Sequence, residues 1–150
     1  MTSKTASALI LIVDGDSALR ERLAAQLAAA RYAVSIAGDG YDALAQFDAL
    51  GPAALLLDID LPELDGFGLL TVLRDTGRIR ATPVMVLTAR SRPEDVRRAV
   101  DLGARDYLAK PFTEAQLLAR IKRLLGGGGD ARSAARRASA RPRAPSPGKP

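Results

Sequence analysis

Along this chain, short unbroken apolar runs alternate with longer stretches in which apolar residues recur every three or four positions. The runs are Leu9–Val13, Val34–Ala37, Ala53–Leu57, Val84–Leu87 and Tyr107–Ala109. Unbroken rather than alternating runs suit strands covered on both faces, as in a parallel sheet. The first helical stretch runs from about Ser17 to Ala30, with Leu19, Leu23 and Leu27 at four-residue spacing. The last runs from about Thr113 to Leu125 and places Leu117, Ile121, Leu124 and Leu125 on one face. Helices are also expected near Tyr41–Leu50, Gly66–Asp75 and Pro93–Leu102. Thr113 suits an N-cap, Pro93 a first helical turn, and Gly103 and Gly126–Gly129 helix stops. The pattern is a (βα)₅ repeat. Right-handed crossovers turn it into an α/β fold, a doubly wound parallel sheet with helices on both faces.

Composition narrows the chemistry. The chain has 150 residues, enough for one ordinary domain, and it has neither cysteine nor histidine. Disulfides, thiol catalysis, imidazole bases and phosphohistidine on this chain are excluded. The longest apolar run, Ala8–Val13, is far shorter than the roughly 20 residues of a membrane span. No stretch reads as a secretory signal, and a cytoplasmic location is expected. The formal charge of +5 is unevenly spread: residues 1–125 hold 16 Lys+Arg and 16 Asp+Glu, so the whole excess lies in 126–150. That last segment is built of Gly, Ala, Arg, Ser and Pro and is expected to be a disordered basic tail or linker. A basic arm touching nucleic acid or an acidic partner is the alternative. The expected organisation is a disordered 1–7, a domain over 8–125, and the tail.

In open α/β sheets, ligands bind beyond the carboxyl ends of the strands. Asp14-Gly15-Asp16 follows the first run, and Asp58 and Asp60 follow the third. Thr88 closes the fourth, and Lys110-Pro111 follows the fifth. Each has a plain structural explanation alone: Asp16 as a helix cap, Thr88 as a β-branched strand end, Lys110 as a surface lysine. Together they deliver carboxylates, a hydroxyl and an ammonium to one sheet edge. Such a set suits phosphoryl transfer to a carboxylate, with the phosphoryl charge neutralised by fixed donors and by Mg²⁺. Asp14 and Asp58 can supply the oxygen ligands that Mg²⁺ prefers.

At this point the residues resemble a family. Leu55-Leu56-Leu57-Asp58-Ile59-Asp60-Leu61-Pro62, followed by Asp65-Gly66, is similar to the phosphoacceptor loop of response-regulator receiver domains (CheY-like). Ile10–Asp14, Val86-Leu87-Thr88-Ala89 and Gly103-Ala104 with Asp106–Phe112 resemble the family's first-, fourth- and fifth-strand signatures. The resemblance covers about residues 8–125. It implies a flavodoxin/CheY-like strand order 2-1-3-4-5 and makes Asp58 the residue phosphorylated by a sensor histidine kinase or phosphotransfer protein. Asp14, Asp58 and the backbone carbonyl of Asp60 would hold Mg²⁺. Thr88, with Ala89 beside it, and Lys110 would bind the phosphoryl group. Tyr107 would be the aromatic switch that moves inward with Thr88, and Lys110-Pro111 would be a cis peptide.

One position departs from the family pattern. Receivers carry two consecutive acids after the first strand, and this chain has Asp14 followed by Gly15. Three outcomes are open: Asp16 reaches the metal by a shifted turn, a water takes the missing ligand's place, or metal binding and phosphorylation are weakened. The water-filled site is favoured. Asp106 and Arg120 match two charged positions of a dimer face formed by the fourth helix, fifth strand and fifth helix. Gln116 and Arg105 stand where that face usually has acids.

The leading expectation is a phosphorylation-dependent switch acting on a partner or, in a longer chain, on a C-terminal output domain such as a DNA-binding one. Its only catalysis would be accepting the phosphoryl group and slowly hydrolysing it. A pseudo-receiver that is not phosphorylated is the alternative. A haloacid dehalogenase-type phosphatase is a weaker one, because Asp58-Ile59-Asp60 sits on the third strand and no acidic pair follows Lys110.

Overall fold

A computed structural model describes residues 7–126. The expectations for 1–7 and 126–150 fall, apart from Ser7 and Gly126, outside the described residues. Five strands form one sheet: β1 (Leu9–Val13), β2 (Ala33–Ala37), β3 (Ala54–Leu57), β4 (Val84–Thr88) and β5 (Asp106–Ala109). Five α-helices connect and follow them: α1 (Ser17–Ala29), α2 (Gly40–Leu50), α3 (Gly66–Asp75), α4 (Pro93–Asp101) and α5 (Glu114–Leu125). The sheet is wholly parallel, in the order β2-β1-β3-β4-β5. The expected fold and strand order are what the chain adopts. One element was not expected, a 3₁₀ turn at Arg78–Arg80 between α3 and β4.

The two-residue period of the strands divides the core into two layers. Leu11, Val13, Leu55, Leu57, Val84, Val86 and Tyr107 face α2, α3 and α4, where Phe47, Phe67, Leu70 and Ala99 meet them. Ile10, Ile12, Leu56, Met85, Leu87 and Leu108 face α1 and α5, against Leu23, Leu27, Leu117 and Ile121. The chain changes faces between β2 and β3, so the crevice between β1 and β3 is the topological switch point. It lies at the carboxyl edge of the sheet.

Helix starts crowd the same edge. Asp16, Asp39, Asp65 and Thr113 each cap a helix by accepting a backbone N–H three residues on, at 3.2, 2.8, 2.8 and 3.0 Å. Thr113 and Gln116 form a reciprocal capping box. Each such cap contributes about 1 kcal/mol. α4 has no side-chain cap but opens with Pro93 in its first turn.

The outer edge of β2 is guarded by α2. Ala33 and Ala37 turn their backbone groups toward β1, so the carbonyl of Ile36 faces outward. Gln46 donates its Nε2 to that carbonyl at 2.7 Å and also contacts the Ser35 hydroxyl.

α1 ends in a Schellman motif: Tyr32 N–H bonds to the Leu27 carbonyl at 3.0 Å and Arg31 N–H to that of Ala28 at 2.9 Å. This puts Arg31 in the left-handed region at φ 78, a conformation that glycine adopts without steric cost. We expect Arg31→Gly to stabilise the domain by about 0.5–1 kcal/mol after the entropic cost of glycine is set against the relieved strain. A rise in the urea midpoint at unchanged slope checks it.

Candidate functional site

The strand ladders carry the polar residues one step past the sheet. Asp14 N–H bonds to the Ala37 carbonyl at 3.1 Å, Asp58 N–H to that of Val13 at 2.9 Å, and Lys110 N–H to that of Thr88 at 2.9 Å. These bonds fix the backbone of the site to the most buried part of the fold. Asp14 and Asp58 come to lie on either side of the β1–β3 crevice, 2% and 7% exposed.

Lys110 reaches back over both. Its Nζ is 2.7 Å from Asp14 Oδ2 and 3.3 Å from Asp58 Oδ2. The remaining carboxylate oxygens accept backbone N–H groups: Asp16 donates to Asp14 Oδ1 at 2.9 Å and Asp60 to Asp58 Oδ1 at 3.3 Å. Thr88, fully buried at the end of β4, places its hydroxyl beside Asp58. Burial pushes the Asp58 carboxyl above its ordinary value and the Asp14 charge adds to this, while the Lys110 ammonium opposes it. Burial works against the Lys110 charge, but the Asp14 hydrogen bond and both carboxylates outweigh it, and the ammonium is held more tightly than usual. Asp14, Asp58, Thr88 and Lys110 are therefore one cluster.

The other expected residues are placed around it. Asp16 accepts from Leu19 N–H as the cap of α1, and its carboxylate is exposed. Ala89 is exposed just past β4. The Lys110–Pro111 peptide is cis. Tyr107 is already inside, 3% exposed, and donates its hydroxyl to the Arg90 carbonyl at 2.6 Å. Burial, with the Asp95 charge second, pushes its phenol well above the ordinary value. Asp106 and Arg120 pair within the chain at 3.0 Å, toward the other end of β5.

Two arginines escaped the sequence reading. Arg20 donates to the Asp14 carbonyl at 2.7 Å. Arg90 bonds Asp60 Oδ1 through Nε at 2.9 Å, and its N–H approaches Thr88 Oγ1 at 3.3 Å. The only sequence signal for Arg90 is its place two residues after Thr88.

As a metal site, the cluster offers oxygen donors only, which suits Mg²⁺. The Asp60 carbonyl faces Gly15, since a Cβ built there would lie 3.6 Å from it. Among the described residues, no group of three or more acidic side chains gathers as a metal cage. Two carboxylates and a carbonyl fit Mg²⁺ if waters complete the octahedron.

Because the native state holds the Asp58 proton more tightly than the unfolded chain does, the charged carboxylate subtracts stability at neutral pH. The deficit closes as pH falls through the folded pKa and is gone below the unfolded value. We expect Asp58→Asn to be more stable than the parent at pH 7 by about 0.5–2 kcal/mol, with the advantage shrinking toward pH 4. Urea midpoints of both proteins across that range check it.

The family model for the response regulator receiver domain matches residues 10–122. The response regulator MprA of Mycobacterium tuberculosis is 44% identical over 119 residues, 79% of this chain and 51% of that protein. The chain thus spans about half the length of the curated relatives it matches. A putative response regulator from Chloroflexus aurantiacus superposes with a TM-score of 0.76 at 36% identity, covering 81% of this chain and 99% of the other. Chemotaxis protein CheY4 of Vibrio cholerae gives 0.75 at 30% identity, covering 79% and 99%. Its sheet order, its strand-end residues and these matches lead to one conclusion: the chain belongs to the family of response regulator receiver domains.

Proposed function

We propose that this domain is a signalling switch that accepts a phosphoryl group on Asp58 from a sensor histidine kinase or phosphotransfer protein. The observation that carries this reading is the Lys110 ammonium in contact with both buried carboxylates, at 2.7 and 3.3 Å. A cation so placed meets the oxygens of any phosphoryl group built on Asp58. An Asp58 Oδ attacks phosphorus, the bond from phosphorus to the donor nitrogen breaks, and an acyl phosphate forms. Lys110 pairs with one phosphoryl oxygen and the Thr88 hydroxyl donates to another. Asp14, Asp58 and the Asp60 carbonyl, with waters, would hold Mg²⁺, which when bound would supply further neutralisation of the phosphoryl charge.

The output follows from hydrogen bonds already in place. Thr88 Oγ1 meets the Arg90 N–H, and the Arg90 carbonyl meets the Tyr107 hydroxyl. A shift of Thr88 toward the phosphoryl group therefore displaces the loop after β4 and the ring it holds. That biases the face of α4, β5 and α5, through which a partner, a second copy, or an output domain in a longer chain is controlled. On the opposite side of Lys110, a groove of about 250 Å³ between α1 and the segment after β5 has Leu19, Leu23, Pro111 and Phe112 in its walls and Arg22 and Glu114 with them. The phosphodonor protein docks there in this reading, and a cytoplasmic location accords with it.

The second reading, a receiver-like binding module that is not phosphorylated, is favoured by two observations. Asp16 caps α1, and no cage of three acids forms among the described residues.

Acetyl phosphate and intact mass decide between them. We expect one phosphoryl adduct that needs Mg²⁺, is absent from Asp58→Asn, and forms about tenfold more slowly or worse in Lys110→Ala. No adduct from folded protein at any Mg²⁺ concentration sinks the switch. Gly15→Asp has room, with only ordinary contacts at 3.6 Å to the Asp60 carbonyl and Pro62. We expect it to tighten Mg²⁺ binding about tenfold. An unchanged calorimetric Kd counts against the water-completed site.

A further inference from the structure

Charge is not spread evenly over the fold. The carboxyl edge of the sheet holds the aspartates of the site and of the helix caps. The opposite edge, where strands begin and helices end, carries bases. Arg31 follows α1, Arg80 closes the 3₁₀ turn before β4, and Lys122 and Arg123 stand in the last turn of α5. All four are exposed. Among the described residues, no carboxylate pairs with any of them. Two exposed acids of this edge are already taken, Asp48 by Arg78 at 2.7 Å and Asp75 by Arg74 at 2.9 Å. Asp101, at the end of α4, is the exposed exception.

Arg31 stands out among the four. It is held at φ 78, where any residue with a Cβ meets a steric penalty and glycine meets none. The backbone alone favours glycine there, so the guanidinium is kept against the local conformational preference.

The bases do not converge on a single anion. Arg31 precedes β2 and Arg80 precedes β4, three places away in the sheet, so the starts of those strands lie roughly 14 Å apart at about 4.8 Å per strand. Successive phosphates of one duplex strand advance about 3.4 Å along the axis, so this span covers several. Nucleic acid with unpaired bases calls for an aromatic stacking platform. Among the described residues the exposed aromatic, Tyr41, lies in the first turn of α2 at the opposite edge, and Tyr32 beside Arg31 packs against the core.

We propose that this amino edge of the sheet is a docking surface for the phosphate backbone of double-stranded DNA, engaged through Arg31, Arg80, Lys122 and Arg123 without reading base sequence. Charge of the same sign follows directly in the sequence, because residues 126–150 carry the whole +5 excess. Strands of four or five residues separate the surface from Asp58 by about 15 Å, more than the screening length of about 8 Å at physiological salt. Surface and phosphoacceptor can be occupied at once, and the proposal does not rest on phosphorylation.

The test is fluorescence anisotropy of a labelled, mixed-sequence duplex of about 20 base pairs, titrated with the full chain at several salt concentrations. The parent is expected to bind with a Kd of about 1–100 μM, with log affinity falling linearly in log salt. Arg31→Gly, Arg80→Gln, Lys122→Gln and Arg123→Gln should each weaken binding about two- to fivefold and lower the salt slope by about one. Arg92→Gln, exposed at the carboxyl edge, should leave binding unchanged. Arg31→Gly supplies a readout that a merely structural residue would not move: its urea midpoint should rise while its duplex affinity falls. A quadruple variant that binds like the parent assigns binding to the segment after Gly126 alone and overturns the surface. So does a parent that does not bind at low salt. Tighter, variant-sensitive binding to phosphatidylserine vesicles than to the duplex at the same salt assigns the surface to a membrane and overturns the duplex as its partner.

Discussion

Two aspartates share a crevice that is almost closed to water, and one ammonium makes this tolerable. Without Lys110, Asp14 and Asp58 would be like charges in a poorly solvated place, each raising the cost of the other. With it, each carboxylate has a cation on one oxygen and a backbone N–H on the other. The lysine comes from the far side of β4, so the arrangement exists only when β5 is docked and the sheet complete. The balance is incomplete by design of the packing: the Asp58 carboxyl still sits above its ordinary value because burial outweighs the ammonium. A carboxylate held short of full compensation is one for which an incoming cation or phosphoryl group changes the energy most.

Much of this was legible from residue order because a parallel sheet is buried on both faces. Leu9–Val13, Ala53–Leu57 and Val84–Leu87 appear as unbroken apolar runs for that reason, and the polar residue that ends each run lands at the ligand-binding edge. What stayed hidden depends on distance in space rather than along the chain. Arg90 and Asp60 meet only because the loops after neighbouring strands lie side by side. The 3₁₀ turn at Arg78–Arg80 has no apolar period, and it follows Gly77 in the left-handed region. Asp16 caps α1, its extended backbone aiming the carboxylate at Leu19 N–H.

The helix starts deserve a place in the same picture. α1, α2, α3 and α5 all begin near the carboxyl edge, and each carries a side-chain cap. Their partial positive ends therefore lie at that edge. Three of those caps are aspartates, which return negative charge to the same edge. The site's electrostatics are therefore set by side chains that also start the helices, and a change at Asp16 or Asp65 would alter both.

Gln46 matters beyond the fold of one molecule. A sheet with two free edges is a template onto which another chain can add a strand, the first step toward aggregation. On β2 the outward carbonyl of Ile36 is already taken by the Gln46 amide, and the Ser35 hydroxyl is engaged beside it. A passing strand would have to displace an internal bond to gain an external one. The sheet's β2 flank is thus made unattractive to strand addition by a single glutamine on a neighbouring helix.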